Sequence, residues 1–153
     1  MNQDEHWMRE ALSLAKKAGE QGEVPVGAVI VKDGEILAGA YNLREKRGSA
    51  TAHAELLAIE EACRICGGWR LIGCTLYVTL EPCPMCTGAI INARLDRVVY
   101  GTKDPVAGCC GSLIDLNAYP FNHRFSLTRG VCESECRELL REFFHSKRIS
   151  VIE

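Results

Sequence analysis

Cys83 and Cys86 stand three residues apart in LEPCPMCTGAIIN (residues 80–92), with Pro82 and Pro84 on either side of the first. Pro84 suits the first turn of a helix, where a missing N–H costs nothing. Three-residue spacing then puts both sulfurs on one side of that turn. The unpaired N–H groups and partial positive charge of a helix N-terminus favour thiolate over thiol. Two thiolates so placed are half of a tetrahedral zinc site. The same spacing alone also suits a redox pair, a structural zinc knuckle or two buried cysteines.

TAHAELLAIE (residues 51–60) offers the other half, with His53 at the start of the preceding helix and Glu55 two residues on. On a continuous helix such positions lie about 200° apart and cannot grip one metal from one face. At a helix N-terminus, side chains can reach over the end, so His53 can ligate while Glu55 reaches the open coordination position. His53, Cys83 and Cys86 make three protein ligands and leave the fourth place to water, the arrangement of a catalytic zinc. Glu55, a carboxylate that is not a ligand, can take a proton from that water and deliver it to a ring nitrogen, as hydrolytic deamination of a base requires. The order H-A-E…P-C-P-M-C fits the H-x-E…P-C-x-x-C signature of zinc nucleobase deaminases.

These residues must be held by a fold, and the pattern along the chain predicts one. Asp4 to Ala18 reads as an amphipathic helix, with Met8, Ala11, Leu12 and Ala15 on one face and Gly19 as its stop. Two apolar runs around Asp33-Gly34 predict a β-hairpin. AHAELLAIEEACRICGG predicts a helix ended by Gly67-Gly68. Leu76 to Leu80 reads as a buried strand, Pro84 to Asn92 as a helix, and Arg97 to Tyr100 and Phe125 to Thr128 as further strands. ESECRELLREFFHSKR closes the chain as a helix expected to bury Cys136, Leu139, Leu140 and Phe143. Alternating strands and helices imply a layered α/β fold, and residues 101–124 are long enough for a crossover between parallel strands.

With 153 residues, 47% hydrophobic and 25% charged, the chain has the profile of a single globular domain spanning 1–153. No apolar run approaches the ~18 residues of a membrane span. MNQDEHWMRE lacks the basic and apolar regions of a signal peptide, so a cytoplasmic location is expected. Nine cysteines there are better read as metal ligands, catalytic thiols or buried small hydrophobes than as disulfides. Cys63 and Cys66, a second CxxC without companion ligands, are expected to be buried hydrophobes, as are Cys109 and Cys110. The net charge of −2 argues against indiscriminate coating of nucleic acid but leaves room for a local basic patch.

Nearly the whole chain resembles the bacterial tRNA-specific adenosine deaminases of the TadA type. The matching pieces are EVPVGAVIV (23–31), TAHAE (51–55), TLEPCPMCTGAI (79–90), YGTKDPVAGCCGSL (100–113) and FNHR (121–124). The resemblance implies a three-layer α/β/α, cytidine-deaminase-like fold with a five-stranded mixed sheet, assembled as a homodimer. It implies one Zn2+ per subunit on His53, Cys83 and Cys86, Glu55 as proton shuttle, and the anticodon stem-loop of a tRNA as partner. The implied reaction converts adenosine to inosine at the wobble position. The alternative is a deaminase of a free base or nucleoside such as guanine, cytosine or cytidine; a zinc-stabilised RNA-binding module without catalysis is a rival from another class.

Further candidates follow from the same resemblance. Asn42 closes the second hairpin strand, and its amide could pair with a base edge as donor and acceptor; its plain alternative is a turn residue. Val26 suits a pocket wall or the core. Lys103, Asp104, Asn122 and His123 lie in segments suited to holding nucleotides beside a flipped base, or face water as loop residues do. Arg44, Lys46 and Arg47 form one basic cluster, and Arg137, Arg141, Lys147 and Arg148 another. The latter share their helix with glutamates that could simply pair with them. Phe144 could stack on a base or belong to the core.

Overall fold

The chain folds, in a computed structural model describing residues 2–152, around one five-stranded sheet. Helix α1 (Gln3–Glu20) leads into strands β1 (Gly27–Lys32) and β2 (Glu35–Tyr41). A short turn, α2 (Arg44–Arg47), precedes helix α3 (Ala54–Cys66) and strand β3 (Cys74–Leu80). Helix α4 (Pro84–Asn92) connects to β4 (Arg97–Thr102), and after a long loop come β5 (Ser126–Thr128) and α5 (Glu133–Ile152). The hairpin turns at Asp33 and Gly34, both at positive φ (52° and 74°), as the primed turn of a two-residue hairpin requires.

The strand order is β2-β1-β3-β4-β5. β1 pairs antiparallel with β2 and β3, while β3–β4 and β4–β5 are parallel. The sheet is therefore mixed, and residues between β4 and β5 do make the expected crossover. Strand alternation splits the core in two. Ala28, Ile30, Leu76, Val78 and Val98 face α3 and α4, packing on Ala58, Ala62 and Ile90. Val29, Val31, Tyr77 and Val99 face the other way, onto Met8, Ala11 and Leu12 of α1 and Cys136 of α5. Helices on both faces make the three layers. No described helix is long and apolar enough to cross a membrane.

Asp4 pins the start of α1 to the sheet: Arg97 donates to both of its oxygens, at 2.9 and 2.7 Å, and the Tyr77 hydroxyl donates at 2.8 Å. The Arg97 hydrogen bond holds Asp4 below the usual carboxylate range.

Two expectations need correction. Among the α5 side chains described, only Cys136 is fully buried; Leu139, Leu140 and Phe143 are half-buried. Leu139 and Leu140 pack against the two cores, one against each, but stay partly exposed. Nor is the second CxxC a buried pair: Cys63 is half-buried and Cys66 exposed. Gly67, left-handed at φ 72°, ends α3 just after Cys66, so that residue sits at the helix end. Cys109 and Cys110 are buried as expected.

Close approach of α5 to β4 depends on Gly101, where a Cβ would sit 2.7 Å from the Thr79 carbonyl oxygen and overlap Cys136 Sγ. Gly101→Ala is expected to destabilise the protein by about 1–3 kcal/mol through overpacking, measured as a lower urea midpoint at unchanged m-value.

Candidate metal and catalytic site

Beyond the end of β3, α3 and α4 present their N-termini to each other. His53 is the N-cap of α3 and Cys83 the N-cap of α4, both in extended backbone (φ −80°, ψ 148° and φ −77°, ψ 177°). Because His53 stands just outside the helix, the 200° argument against pairing it with Glu55 does not apply. Neither N-cap side chain caps its own helix. At α3 the Asn42 side chain takes that role, its Oδ1 accepting from Ala54 N–H at 2.8 Å. At α4 the first helical residue is Pro84, which has no N–H to satisfy.

His53 Nδ1 lies 3.6 Å from the Sγ atoms of both Cys83 and Cys86, and all three donor atoms fall within 4.8 Å of one another. A tetrahedral zinc with Zn–N near 2.05 Å and Zn–S near 2.3 Å separates its nitrogen and sulfur ligands by about 3.6 Å. The donor set and its spacing fit zinc. The neighbouring Cys86 thiol holds Cys83 down at about 4, while Cys83 and burial push Cys86 far upward. A cation ligated by both needs both ionised, so its binding must expel the thiol proton.

Glu55, in the first turn of α3, is buried beside this cluster, and burial raises its carboxyl to about 7. A carboxylate at that value both accepts and releases a proton near neutrality. The cluster opens on a cavity of about 490 Å³. Val24, Val26 and Leu80 contribute apolar wall, while Asn42, Asp104 and Lys103 contribute polar groups. Arg44, Pro105, Val106 and Phe144, all exposed, also line it.

Asn42, Val26, Lys103 and Asp104 are thus brought together with the His53–Cys83–Cys86 cluster. His123 is not: it is absent from the cavity lining, and its Nε2 lies 2.6 Å from the Leu95 carbonyl oxygen, which follows the far end of α4. Asn122 is exposed and also outside the lining, as are Lys46 and Arg47.

Two buried carboxylates escaped the sequence reading. Glu81 accepts N–H bonds from Asp104 (3.0 Å), Cys110 (3.0 Å) and Ser112 (3.1 Å), and a hydroxyl bond from Ser112. Burial alone would raise it, but the Ser112 hydroxyl and these N–H groups outweigh burial and hold it below the usual range. It ties the 103–112 loop to the residues just before Cys83. Glu23 accepts from Glu45 and Lys46 N–H at 3.0 and 2.8 Å, fixing the α2 turn beside the cavity. The position of Glu81 inside LEPCPMC was the available signal; its partners lie more than 20 residues away and form no local pattern.

A mixed α/β/α sandwich that aims a nitrogen and two sulfurs from two helix N-termini beside a buried carboxylate defines a metal-dependent hydrolase of nucleobase-sized substrates. The family described as the cytidine and deoxycytidylate deaminase zinc-binding region matches residues 1–102, and the chain belongs to it. It is 54% identical to a tRNA-specific adenosine deaminase of Bacillus subtilis, over 97% of this chain and 92% of that one. A solved structure from work on tRNA:A34 deaminases, 44% identical, superposes with a TM-score of 0.85 over 88% of this chain and 98% of that one. The guanine deaminase of Bacillus subtilis is 39% identical with a TM-score of 0.65, over 81% and 82% of the two chains. The fold is the cytidine-deaminase-like one.

Alanine at His53, Cys83 or Cys86 is expected to cut bound zinc from about one per chain to roughly a tenth or less, because three-ligand sites lose most affinity with one ligand; metal analysis after gel filtration measures it. Glu81→Gln is expected to retain zinc but lower the urea-unfolding free energy by about 1–3 kcal/mol, since an amide cannot accept all four bonds.

Proposed function

We propose that residues 1–153 form one zinc-dependent deaminase domain that converts adenosine to inosine at the wobble position of a tRNA anticodon, releasing ammonia. His53, Cys83 and Cys86 hold one zinc per subunit. Zinc, when bound, lowers the pKa of a coordinated water towards about 7 and supplies hydroxide at neutral pH. Glu55 carries the proton from the attacking water to the ring nitrogen beside C6, then protonates the leaving amine. Val26 offers an apolar wall to the base. Asn42, whose Oδ1 is occupied by Ala54 N–H, keeps its amide N–H groups for an acceptor on the base edge. Asp104 and Lys103 stand where flanking nucleotides would pass, and His123 is assigned to a flanking segment of the RNA rather than to the base.

The observation that carries this reading is the open mouth of the cavity. Val106 is 81% exposed and Phe144 45% exposed, and both line a space whose other walls include the buried Glu55. A free base would be sealed from water, whereas a base flipped from a polymer needs an opening for its backbone. Relatives named for tRNA deamination support the choice of polymer. The chain acts as a homodimer in the cytoplasm, where its substrate is found. The second reading, turnover of a free base, is favoured by the likeness to guanine deaminase.

Zinc-loaded protein should be given an unmodified tRNA transcript with adenosine at the wobble position and, separately, free adenosine, cytosine and guanine. Inosine confined to the tRNA is expected; ammonia from a free base with the tRNA untouched would overturn the reading in favour of the second. Glu55→Gln is expected to lower kcat by about 10³-fold while zinc content stays near that of the parent protein.

A further inference from the structure

The loop that follows β4 serves a second cavity. This one, of about 560 Å³, shares Lys103 and Pro105 with the catalytic cavity and is completed by Tyr100, Gly111, Ser112, Arg129 and Glu133, among others. Nothing in the proposed chemistry uses it, yet its groups are those of an anion site.

Tyr100 is 4% exposed, and its hydroxyl makes no hydrogen bond among the described residues. Every fully buried side-chain oxygen and nitrogen described does have a partner, so this hydroxyl must open on the cavity that the residue lines. Burial keeps the phenol protonated, with Glu81, Arg129 and Glu133 acting on it as nearby charges. It is an O–H donor held ready without an acceptor.

Arg129 is exposed, and its guanidinium lies close to the backbone of Gly111. A Cβ at Gly111 would lie 2.9 Å from Arg129 Nη2 and 3.2 Å from its Cζ, so the guanidinium is packed over that bare backbone. Neither Arg129 nor Lys103 takes part in an ion pair among the described residues. Glu133 is the carboxylate in the lining, and it is engaged by Arg137 at 3.4 Å. Among the described residues, the cavity thus holds two cations outside any ion pair and one hydroxyl donor without an acceptor, against one carboxylate paired with Arg137.

We infer that this second cavity binds a phosphate group of the RNA backbone, beside the nucleotide whose base enters the catalytic cavity. The inference rests on the RNA reading above. Lys103 belongs to both spaces, so an occupant of the second cavity adjoins an occupant of the first, and every nucleotide of a polymer carries a phosphate on each side. A guanidinium fork with a hydroxyl and an ammonium suits phosphate oxygens. Anchoring the backbone here would fix the register of the strand while the catalytic cavity reads the base.

The test uses zinc-loaded full-length protein, an anticodon stem-loop RNA and, in a separate arm, inorganic phosphate. RNA affinity is measured across a salt series for the parent protein, Arg129→Gln, Tyr100→Phe and Lys16→Gln, the last removing one exposed charge from α1. Arg129→Gln is expected to weaken RNA binding about tenfold and to reduce the slope of log affinity against log salt by about 0.7. Tyr100→Phe should weaken binding about threefold with the slope unchanged, and Lys16→Gln should leave both near the parent values. Equal behaviour of all four proteins would overturn the inference. In the second arm, thermal unfolding is compared in phosphate and chloride at equal ionic strength. Phosphate stabilisation lost in Arg129→Gln, with RNA affinity unchanged, would overturn the RNA occupant and assign the site to free phosphate. Failure of the parent protein to make inosine in any RNA would sink the deaminase reading, while the phosphate arm would still decide the anion site.

Discussion

Everything in this molecule is arranged around two helix N-termini that face one another. Each ends in a residue whose side chain would ordinarily cap its own helix, and neither does so. His53 and Cys83 turn instead toward a common point, with Cys86 brought alongside by the first turn of α4. The 3.6 Å spacing of nitrogen to both sulfurs matches what tetrahedral zinc imposes. The helix dipoles favour anionic ligands there, but two thiolates placed side by side repel, and the pKa values of Cys83 and Cys86 are driven apart, one down and the other up. A divalent cation resolves that conflict. The loss of self-capping is offset elsewhere, by Asn42 at α3 and by the missing N–H of Pro84 at α4.

Three buried carboxylates surround the site, and their surroundings give them different tasks. Glu81 is encircled by N–H and O–H donors that stabilise its charge, and it stays an anion that organises a loop. Glu23 accepts two backbone N–H bonds and so holds the α2 turn in place. Glu55 is buried without such a ring of donors, so its charged form is penalised and its pKa rises to the range where a proton shuttle works. Side chains of one type differ in charge state according to how many donors point at them. The loop held by Glu81 carries Lys103 and Asp104, so the scaffold carboxylate also sets one wall of the catalytic cavity.

The elements were legible because their signals are local. The helix at Pro84–Asn92 has the bounds its proline and apolar run predict, and Asp33-Gly34 marks the hairpin because few other pairs tolerate two positive φ values. The core faces of α1 and the strands follow from periods of 3.6 and 2. The metal set was legible for a different reason: H-A-E and P-C-P-M-C are short motifs in which residue type and spacing are themselves the chemistry. Burial was less legible where it depends on what lies opposite. Leu139, Leu140 and Phe143 carry a helical apolar period, yet Leu139 and Leu140 only border the two cores and all three stay half-buried. Cys66 fits the pattern of a core residue, yet it is the last residue of α3 and lies exposed.

The amino-acid sequence by itself determined the trio of potential metal donors, the carboxylate beside them and the succession of helices and strands, since each is written in residues a few positions apart. The tertiary structure alone decided which distant residues share a space. It brought Asn42 and Asp104 to the cavity and placed His123 against Leu95 instead. It chose Glu81 as the anchor of a loop that begins more than 20 residues later, and set Arg129 over Gly111 beside an unpaired Tyr100 hydroxyl. Such contacts depend on strand order, crossover and the close approach of backbones, and no local spacing encodes the point at which two remote segments meet.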